Sequence, residues 1–234
     1  MSRSLAGLSP AVNNKPGKRV LPGFALSLGV SLLFISLVLL LPVTGLIVQT
    51  SGMSLAEYWA VVSDERVVAS YKVTLWAAAI ASVFNGVVGL LLAWVLVRYE
   101  FWGKRIVDAL MDLPFALPTA VAGITLAALF SEGGWYGQYL AALGIQVAFT
   151  PLGIIVAMSF TSLPFVVRTV QPVLEDLAPE DEEAAVSMGA SDWTVFRRIL
   201  FPSLWPALMT GIALSFTRSL GEFGAVIFIA GNMP

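Results

Sequence analysis

The sequence contains no cysteine and no histidine among its 234 residues. Without cysteine the chain has neither a disulfide framework nor thiolate chemistry. Without histidine it lacks the usual general base and a common metal ligand. Charged residues make up 12% of the chain, about half the fraction that is usual in a soluble domain. A phosphate-binding GxxxxGK[ST] loop is also missing, so the sequence does not predict an enzyme.

Apolar residues dominate what is present, at 58% of the chain. A membrane-spanning helix needs about 20 apolar residues, and five runs approach or exceed this length: 24–48, 73–97, 113–130, 147–167 and 204–229. The runs are continuous rather than alternating, which favours helices over a barrel. We therefore predict an all-α, polytopic membrane helix bundle at 21–234, preceded by a polar tail at 1–20.

The distribution of lysine and arginine predicts the orientation of these spans. With the N-terminus inside, the cytoplasmic segments hold ten of the 13 positive residues: Arg3, Lys15, Lys18, Arg19, Arg98, Lys104, Arg105, Arg168, Arg197 and Arg198. The external segments hold only Arg66 and Lys72. The polar segment 168–203 is therefore expected to face the cytoplasm.

Within this segment the local chemistry predicts two helices joined by a turn. Pro179 is suited to the first position of a helix. Four acidic residues follow it, and their negative charge is favourable at the positive N-terminal end of a helix: Glu180, Asp181, Glu182 and Glu183. Gly189 can end that helix by adopting a positive φ. Ser191 or Asp192 can then cap a second helix that begins near Trp193 and enters the last apolar run.

The same segment contains a spaced pattern: Glu183, Ala184, Ala185, Gly189, Ile199 and Pro202. This pattern resembles the EAA loop of the permease subunits of bacterial ABC importers, although Phe201 stands where leucine is usual. The resemblance implies that a separate ATPase drives the chain by contacting five residues of the loop: Glu183, Ala184, Ala185, Gly189 and Asp192. ATP and magnesium would be bound by that ATPase, with no cofactor in this chain.

Two further stretches, LPFALPTAVAGITL at 113–126 and TRSLGEFGAV at 217–226, resemble the T-subunit family of sulfate/thiosulfate ABC permeases. Molybdate permeases are near relatives, so a molybdate or tungstate importer remains an alternative. The resemblance implies a bacterial inner-membrane complex with a second, homologous permease subunit, an ATPase dimer and an external sulfate-binding protein. It does not imply nucleic-acid binding. Because such permeases usually have six spans, we expect a sixth to be missing here.

Arg218 and Glu222 are the only charged residues inside the five runs. Four positions apart, they would share one face of a helix, and charges at that depth usually face a bundle interior or a wet path. The pair either lines the anion path or gate, or is a structural ion pair. Gly221 beside Glu222 permits local unwinding.

The third run begins with proline residues, and Pro118 followed by Thr119 fits a pathway helix whose freed carbonyls face a cavity. Alternatively, proline there only shapes the entry of the helix. In the second run, small residues recur every four positions at Ala81, Asn85, Gly89 and Ala93. This stripe predicts close helix packing. A proton- or sodium-coupled transporter is a further alternative, but it would leave the EAA-like loop unexplained.

Overall fold

The computed structural model describes residues 23–231, and within that range the chain forms helices and turns but no strand. The predicted tail at 1–20 lies outside the described residues. The all-α prediction is confirmed. The chain divides into two compact units, of which the first ends at Val62 and the second begins at Ser63.

The first unit contains helix α1, Phe24–Ser51, with a π-helical segment at Ser36–Leu40, and helix α2, Leu55–Val62. The length and apolar composition of α1 suffice to cross a membrane, and none of its residues is buried. A capping box precedes α2: the Ser54 N–H donates to Glu57 Oε2 at 2.8 Å, and the Glu57 N–H donates to Ser54 Oγ at 3.2 Å. The bonds from the Ser54 backbone and hydroxyl lower the pKa of Glu57.

The second unit contains nine helices within the described range. They are α3 Glu65–Arg98, α4 Lys104–Met111, α5 Leu113–Ala116, α6 Thr119–Phe130, α7 Gly137–Ala142, α8 Pro151–Asp176, α9 Pro179–Ser187, α10 Asp192–Leu220 and α11 Gly224–Ala230. Helix α10 includes a π-helical turn at Phe196–Leu200. Of the described helices, α1, α3, α8 and α10 are long and apolar enough to span a membrane, whereas α6 is a shorter apolar helix.

Two of the five predicted spans are broken rather than continuous. The run 113–130 is interrupted at Leu117 and Pro118, whose ψ angles are 134° and 130°. Pro118 favours an extended conformation at Leu117, the residue before it. The run 204–229 ends as α10 at Leu220 and resumes as α11 at Gly224. Hydropathy does not detect this second break, since apolar residues stand on both sides of it.

The core of the second unit is the packing of α3, α8 and α10. Its main apolar cluster joins the three helices: Ala93, Leu96, Val166, Val167, Val170, Leu174, Leu204 and Leu208. The stripe of small residues on α3 lies at this contact, and Ala81, Asn85 and Ala93 are fully buried. A Cβ placed on Gly89 would lie 2.7 Å from Val166 Cγ1. The packing interpretation of the stripe is therefore confirmed.

A polar network lies inside this apolar core. The Asn85 side-chain amide lies within hydrogen-bonding distance of the Ser159 carbonyl at 3.1 Å, Ser162 Oγ at 2.9 Å and Ser215 Oγ at 3.2 Å. Ser162 Oγ also lies 3.0 Å from the hydroxyl of Ser219. These contacts connect α3, α8 and α10 directly, as interhelical polar contacts do in membrane bundles.

Candidate functional site

The polar loop between α8 and α10 adopts the local structure predicted from its residues. Helix α9 begins at Pro179, and its first turn contains the acidic residues Glu180, Asp181 and Glu182. After α9 ends, Gly189 adopts φ 85°. The Ala190 N–H then donates to the Ala185 carbonyl at 3.0 Å, which completes a glycine-dependent helix end. Ser191 caps α10, with its Oγ accepting the Thr194 N–H at 3.4 Å.

The candidate coupling residues lie on different faces of this loop. Glu183, Ala184, Gly189 and Asp192 are exposed, whereas Ala185 is 5% exposed. Ala185 packs in a cluster with Val195 and Leu200, and partly buried side chains surround them: Trp94, Leu177, Ala190, Phe196 and Ile199. The turn at Gly189 folds α10 back over Ala185, so Ala185 faces the inside of the loop while Ala184 is exposed. Contact of these residues with an ATPase stays a prediction.

Large apolar side chains accompany the exposed candidates. Met188 is 82% exposed, and Val186 and Trp193 are also exposed. In a loop that is otherwise polar, such a group of exposed apolar side chains is typical of a protein interaction surface. We refer to Glu183, Ala184, Val186 and Met188 as the outer face of α9.

An ion pair that the sequence did not indicate attaches α9 to α3. Arg98, the last residue of α3, pairs through Nη2 with Glu182 Oε1. The Arg98 guanidinium also lies over the Trp94 ring, 5.4 Å from its centre. The two ion-pair partners are 84 residues apart along the chain, so local pattern could not have revealed the contact.

Arg168 forms a second cluster that sequence reasoning missed. It makes five hydrogen bonds: Nε to Asp112 Oδ1, Nη2 to Asp112 Oδ2 and to the Asp108 carbonyl, and Nη1 to Asp108 Oδ1 and Gln171 Oε1, at distances of 2.6–2.9 Å. Since an arginine has five N–H donors, every donor is used. The cluster fixes α4 and the start of α5 against α8.

The predicted pair in the last apolar run exists but spans a break. Arg218 Nη1 lies 2.6 Å from Glu222 Oε2. Arg218 is in the last turn of α10, whereas Glu222 lies beyond the helix end, so the premise of a shared helix face is wrong. Glu222 is buried, and its Oε1 also accepts the Ala225 N–H of α11 at 2.9 Å. Glu222 therefore holds both helices at the break.

The two helix breaks meet in space. Any Cβ on Gly224, the first residue of α11, would collide with the side chain of Thr119, the first residue of α6. The break at Leu117 and Pro118 therefore lies beside the break at Gly221 and Glu222. This brings all five candidate path residues to one place: Pro118, Thr119, Gly221, Glu222 and, through its ion pair, Arg218.

Neither the α9 loop nor the pair of helix breaks has the side chains of a metal site. Within residues 23–231 no group of three or more histidine, cysteine, aspartate or glutamate side chains is arranged to hold a metal ion. What the loop offers is a short helix with a mixed polar and apolar outer face. At the paired breaks, the side chain of Arg218 is partly exposed and its ion-pair partner Glu222 is buried.

Comparison with known proteins matches residues 85–234 to a family described as the binding-protein-dependent transport system inner membrane component. A protein of Salmonella typhimurium named sulfate transport system permease protein CysT is 67% identical over 216 residues, which cover 92% of this chain and 78% of the relative. The protein of the same name from Escherichia coli is 65% identical with the same coverage. That from Synechocystis is 50% identical over 88% of this chain and 72% of the relative. The family match contains both the α9 loop and the α10–α11 break.

Proposed function

The chain belongs to the family of binding-protein-dependent transport system inner membrane components, and from that membership we propose that it is the permease subunit of an ATP-driven importer for sulfate and thiosulfate. It is a membrane-embedded transport subunit that works within a complex. The anion is proposed from the names of relatives that share up to 67% of their residues with this chain. The structural observation that carries the proposal is α9, a short helix with an exposed mixed face on a polar loop.

In this proposal a separate ATPase dimer contacts α9 and supplies the energy. Its binding site on this chain is the outer face of α9, with Gly189 setting the turn and Asp192 beginning α10. Exposed carboxylates fix the register of such a contact, while exposed apolar side chains supply its burial. ATP and magnesium belong to the ATPase, since this chain has no phosphate loop.

The proposed anion path runs past the paired breaks. Arg218 attracts an oxyanion, while Glu222 holds the guanidinium in place and keeps the anion from being trapped. The side chain of Arg218 is 30% exposed whereas that of Glu222 is 1% exposed, so the cation is the accessible member of the pair. Thr119, Pro118 and Gly221 line the same region in this proposal.

The remaining partners follow from the kind of complex proposed. A second, homologous permease subunit completes the path, and an external sulfate-binding protein delivers the anion. We place the complex in a bacterial inner membrane with the N-terminus of this chain in the cytoplasm, which agrees with the ten positive residues in the predicted cytoplasmic segments.

The test is uptake by the intact complex, isolated by a tag on this chain and reconstituted with its binding protein. Radiolabelled sulfate should accumulate only with ATP, and thiosulfate should compete for it. Molybdate at the same concentration should compete far less. ATP-dependent uptake of molybdate in preference to sulfate would show that the chain is a subunit of a molybdate importer. Uptake without ATP would contradict the proposal as a whole.

A further inference from the structure

Helix α9 is joined to the rest of the chain at both of its ends, by the packing of Ala185 against α10 and Trp94, and by one ion pair. Along the chain, α8 ends at Asp176, and Leu177 and Ala178 continue in an extended conformation with ψ near 124° and 121°. Across space, α9 is joined to the end of α3 by the Arg98–Glu182 ion pair.

Arg98 is positioned by aromatic side chains from both α3 and α10. Its guanidinium lies over Trp94, a contact that favours the cation. The Trp94 ring in turn meets Phe196 edge to face, with ring centres 5.5 Å apart, and Phe196 stacks on Trp193 at 5.6 Å. The Glu182 carboxylate of α9 is therefore bound to an arginine that is positioned by side chains of α3 and α10, two of the three long helices of the core.

The contact also differs from the other interhelical arginine cluster of the chain. Arg168 uses all five of its N–H donors and joins α4 to α8 as a fixed unit. Arg98 binds Glu182 through Nη2, and its Nε is buried without a hydrogen-bond partner among the described residues. A pair made through one of five donors can open and reform without dismantling a network.

We propose that Arg98 is a positioning residue of the coupling step, which holds α9 against the end of α3 through Glu182 so that displacement of α9 is passed to α3. The proposal rests on the proposed function, because it assumes that an ATPase moves α9. It assigns a role to a residue at the end of the second apolar run, outside the EAA-like pattern. Helix α3 is a suitable receiver because it packs against α8 and α10 throughout the core.

The test compares Glu182→Gln with the charge-swapped variant Arg98→Glu/Glu182→Arg in the full complex. Glu100→Gln is the matched control, since it removes an exposed ion pair with Lys104 beside the same end of α3. Two quantities are measured: anion taken up per ATP hydrolysed, and the mobility of a spin label on a cysteine at exposed Ser187. The label is unique within this chain, which has no cysteine of its own, and cysteines of the other subunits are replaced beforehand.

We expect Glu182→Gln to lower the uptake per ATP about fivefold, which corresponds to the upper end of the range measured for exposed ion pairs, while the complex assembles and hydrolyses ATP. The label on α9 should become more mobile. The charge-swapped variant should recover part of the uptake per ATP and part of the immobility of the label. The recovery is incomplete because the contact between Arg98 and the Trp94 ring is lost. Glu100→Gln should match the parent complex in both.

Three results would overturn the proposal: an unchanged ratio with an immobile label in Glu182→Gln, no recovery in a charge-swapped variant that assembles, or failure of Glu182→Gln to assemble. The last would assign the pair to folding rather than positioning. If the parent complex takes up no sulfate, the proposed function is contradicted instead. The mobility of the label then still shows whether Arg98 holds α9 in place.

Discussion

Gly123 of α6 lies against the backbone of Ala225 of α11, so close that a Cβ on Gly123 would stand 2.5 Å from the Ala225 carbonyl oxygen. Neither helix reaches the length of a membrane span, at 12 and 7 residues. Each nevertheless has a partner for its buried face, because glycine allows the two backbones to approach closely. The contact joins the two short helices that follow the two helix breaks.

The first prediction concerns that contact. Gly123→Ala should lower the free energy of unfolding by about 1–3 kcal/mol, the usual cost of overpacking a tight core, because backbone atoms cannot move aside. Gly86→Ala is the control, since its Cβ would meet the flexible end of Ile212 at 2.7 Å. It should cost less than about 1 kcal/mol because alanine also favours the helix. Denaturant unfolding in detergent measures both, and equal losses would contradict the prediction.

The second prediction concerns the turn after α9. Gly189→Val should cost about 1–2 kcal/mol locally, because a side chain resists the φ of 85°, and should uncouple the ATPase from uptake. The strain is confined to the backbone, since no described atom lies within 4 Å of the added Cβ. Gly189→Asn should retain most of the uptake, because asparagine tolerates this conformation. Wild-type uptake by a Gly189→Val complex would remove the coupling argument.

The third prediction separates the two roles of the Arg218–Glu222 pair. In Arg218→Met/Glu222→Gln the glutamine still accepts the Ala225 N–H, so the break between α10 and α11 stays supported and the complex should assemble. If Arg218 guides the anion, uptake should fall by at least about tenfold, or about 1.4 kcal/mol, with ATPase stimulation kept. Uptake close to that of the parent complex would make the pair structural.

The fourth prediction is a coupling energy inside the polar network. A double-mutant cycle of Asn85→Ala and Ser162→Ala should give about 0.6 kcal/mol, with an upper bound near 1.7, as interhelical hydrogen bonds do in other membrane bundles. The control cycle combines Asn85→Ala with Ser203→Ala. Ser203 is exposed, and among the described residues its hydroxyl bonds only to the Ile199 carbonyl of its own helix. That cycle should be additive. A coupling energy of zero between Asn85 and Ser162 would contradict the network.

The fifth prediction tests the orientation. A cysteine at Ser187 should react with a membrane-impermeant thiol reagent only from the cytoplasmic side, and a cysteine at Tyr139 only from outside. Tyr139 is 70% exposed and therefore tolerates replacement. Gly134 in the same segment would not, because a side chain there meets the backbone carbonyl of Leu129. Reaction of both cysteines from one side would refute the assigned topology.

Sequence reasoning succeeded where the signals act over a few residues. Pro179, Gly189 and Ser191 each determine the backbone within about one turn, and the structure has all three in the predicted roles. The small residues of α3 likewise indicated packing, since a repeat every four positions places them on one side of a helix.

Contacts between distant segments were beyond the reach of a single sequence. Nothing near Arg98 indicates a partner 84 residues away, and nothing near Ala185 shows that α10 folds back over it. The continuous span predicted at 204–229 was wrong for another reason, although Gly221 indicated that the helix could unwind there. A hydropathy pattern registers apolar character but not helical continuity, and the loop that contains Glu222 is flanked by apolar residues on both sides.

Ala184 and Ala185 are adjacent, but Ala184 is exposed and Ala185 is buried, so different requirements limit their substitution. Substitutions at Ala185 must be compatible with Val195 and Leu200 of the same chain, whatever protein binds outside. Substitutions at Ala184 and Met188 are free of that internal requirement, since both side chains are exposed. Under the proposed docking, adapting this permease to the ATPase of another importer therefore calls for redesign of the outer face of α9, with Ala185 left as it is.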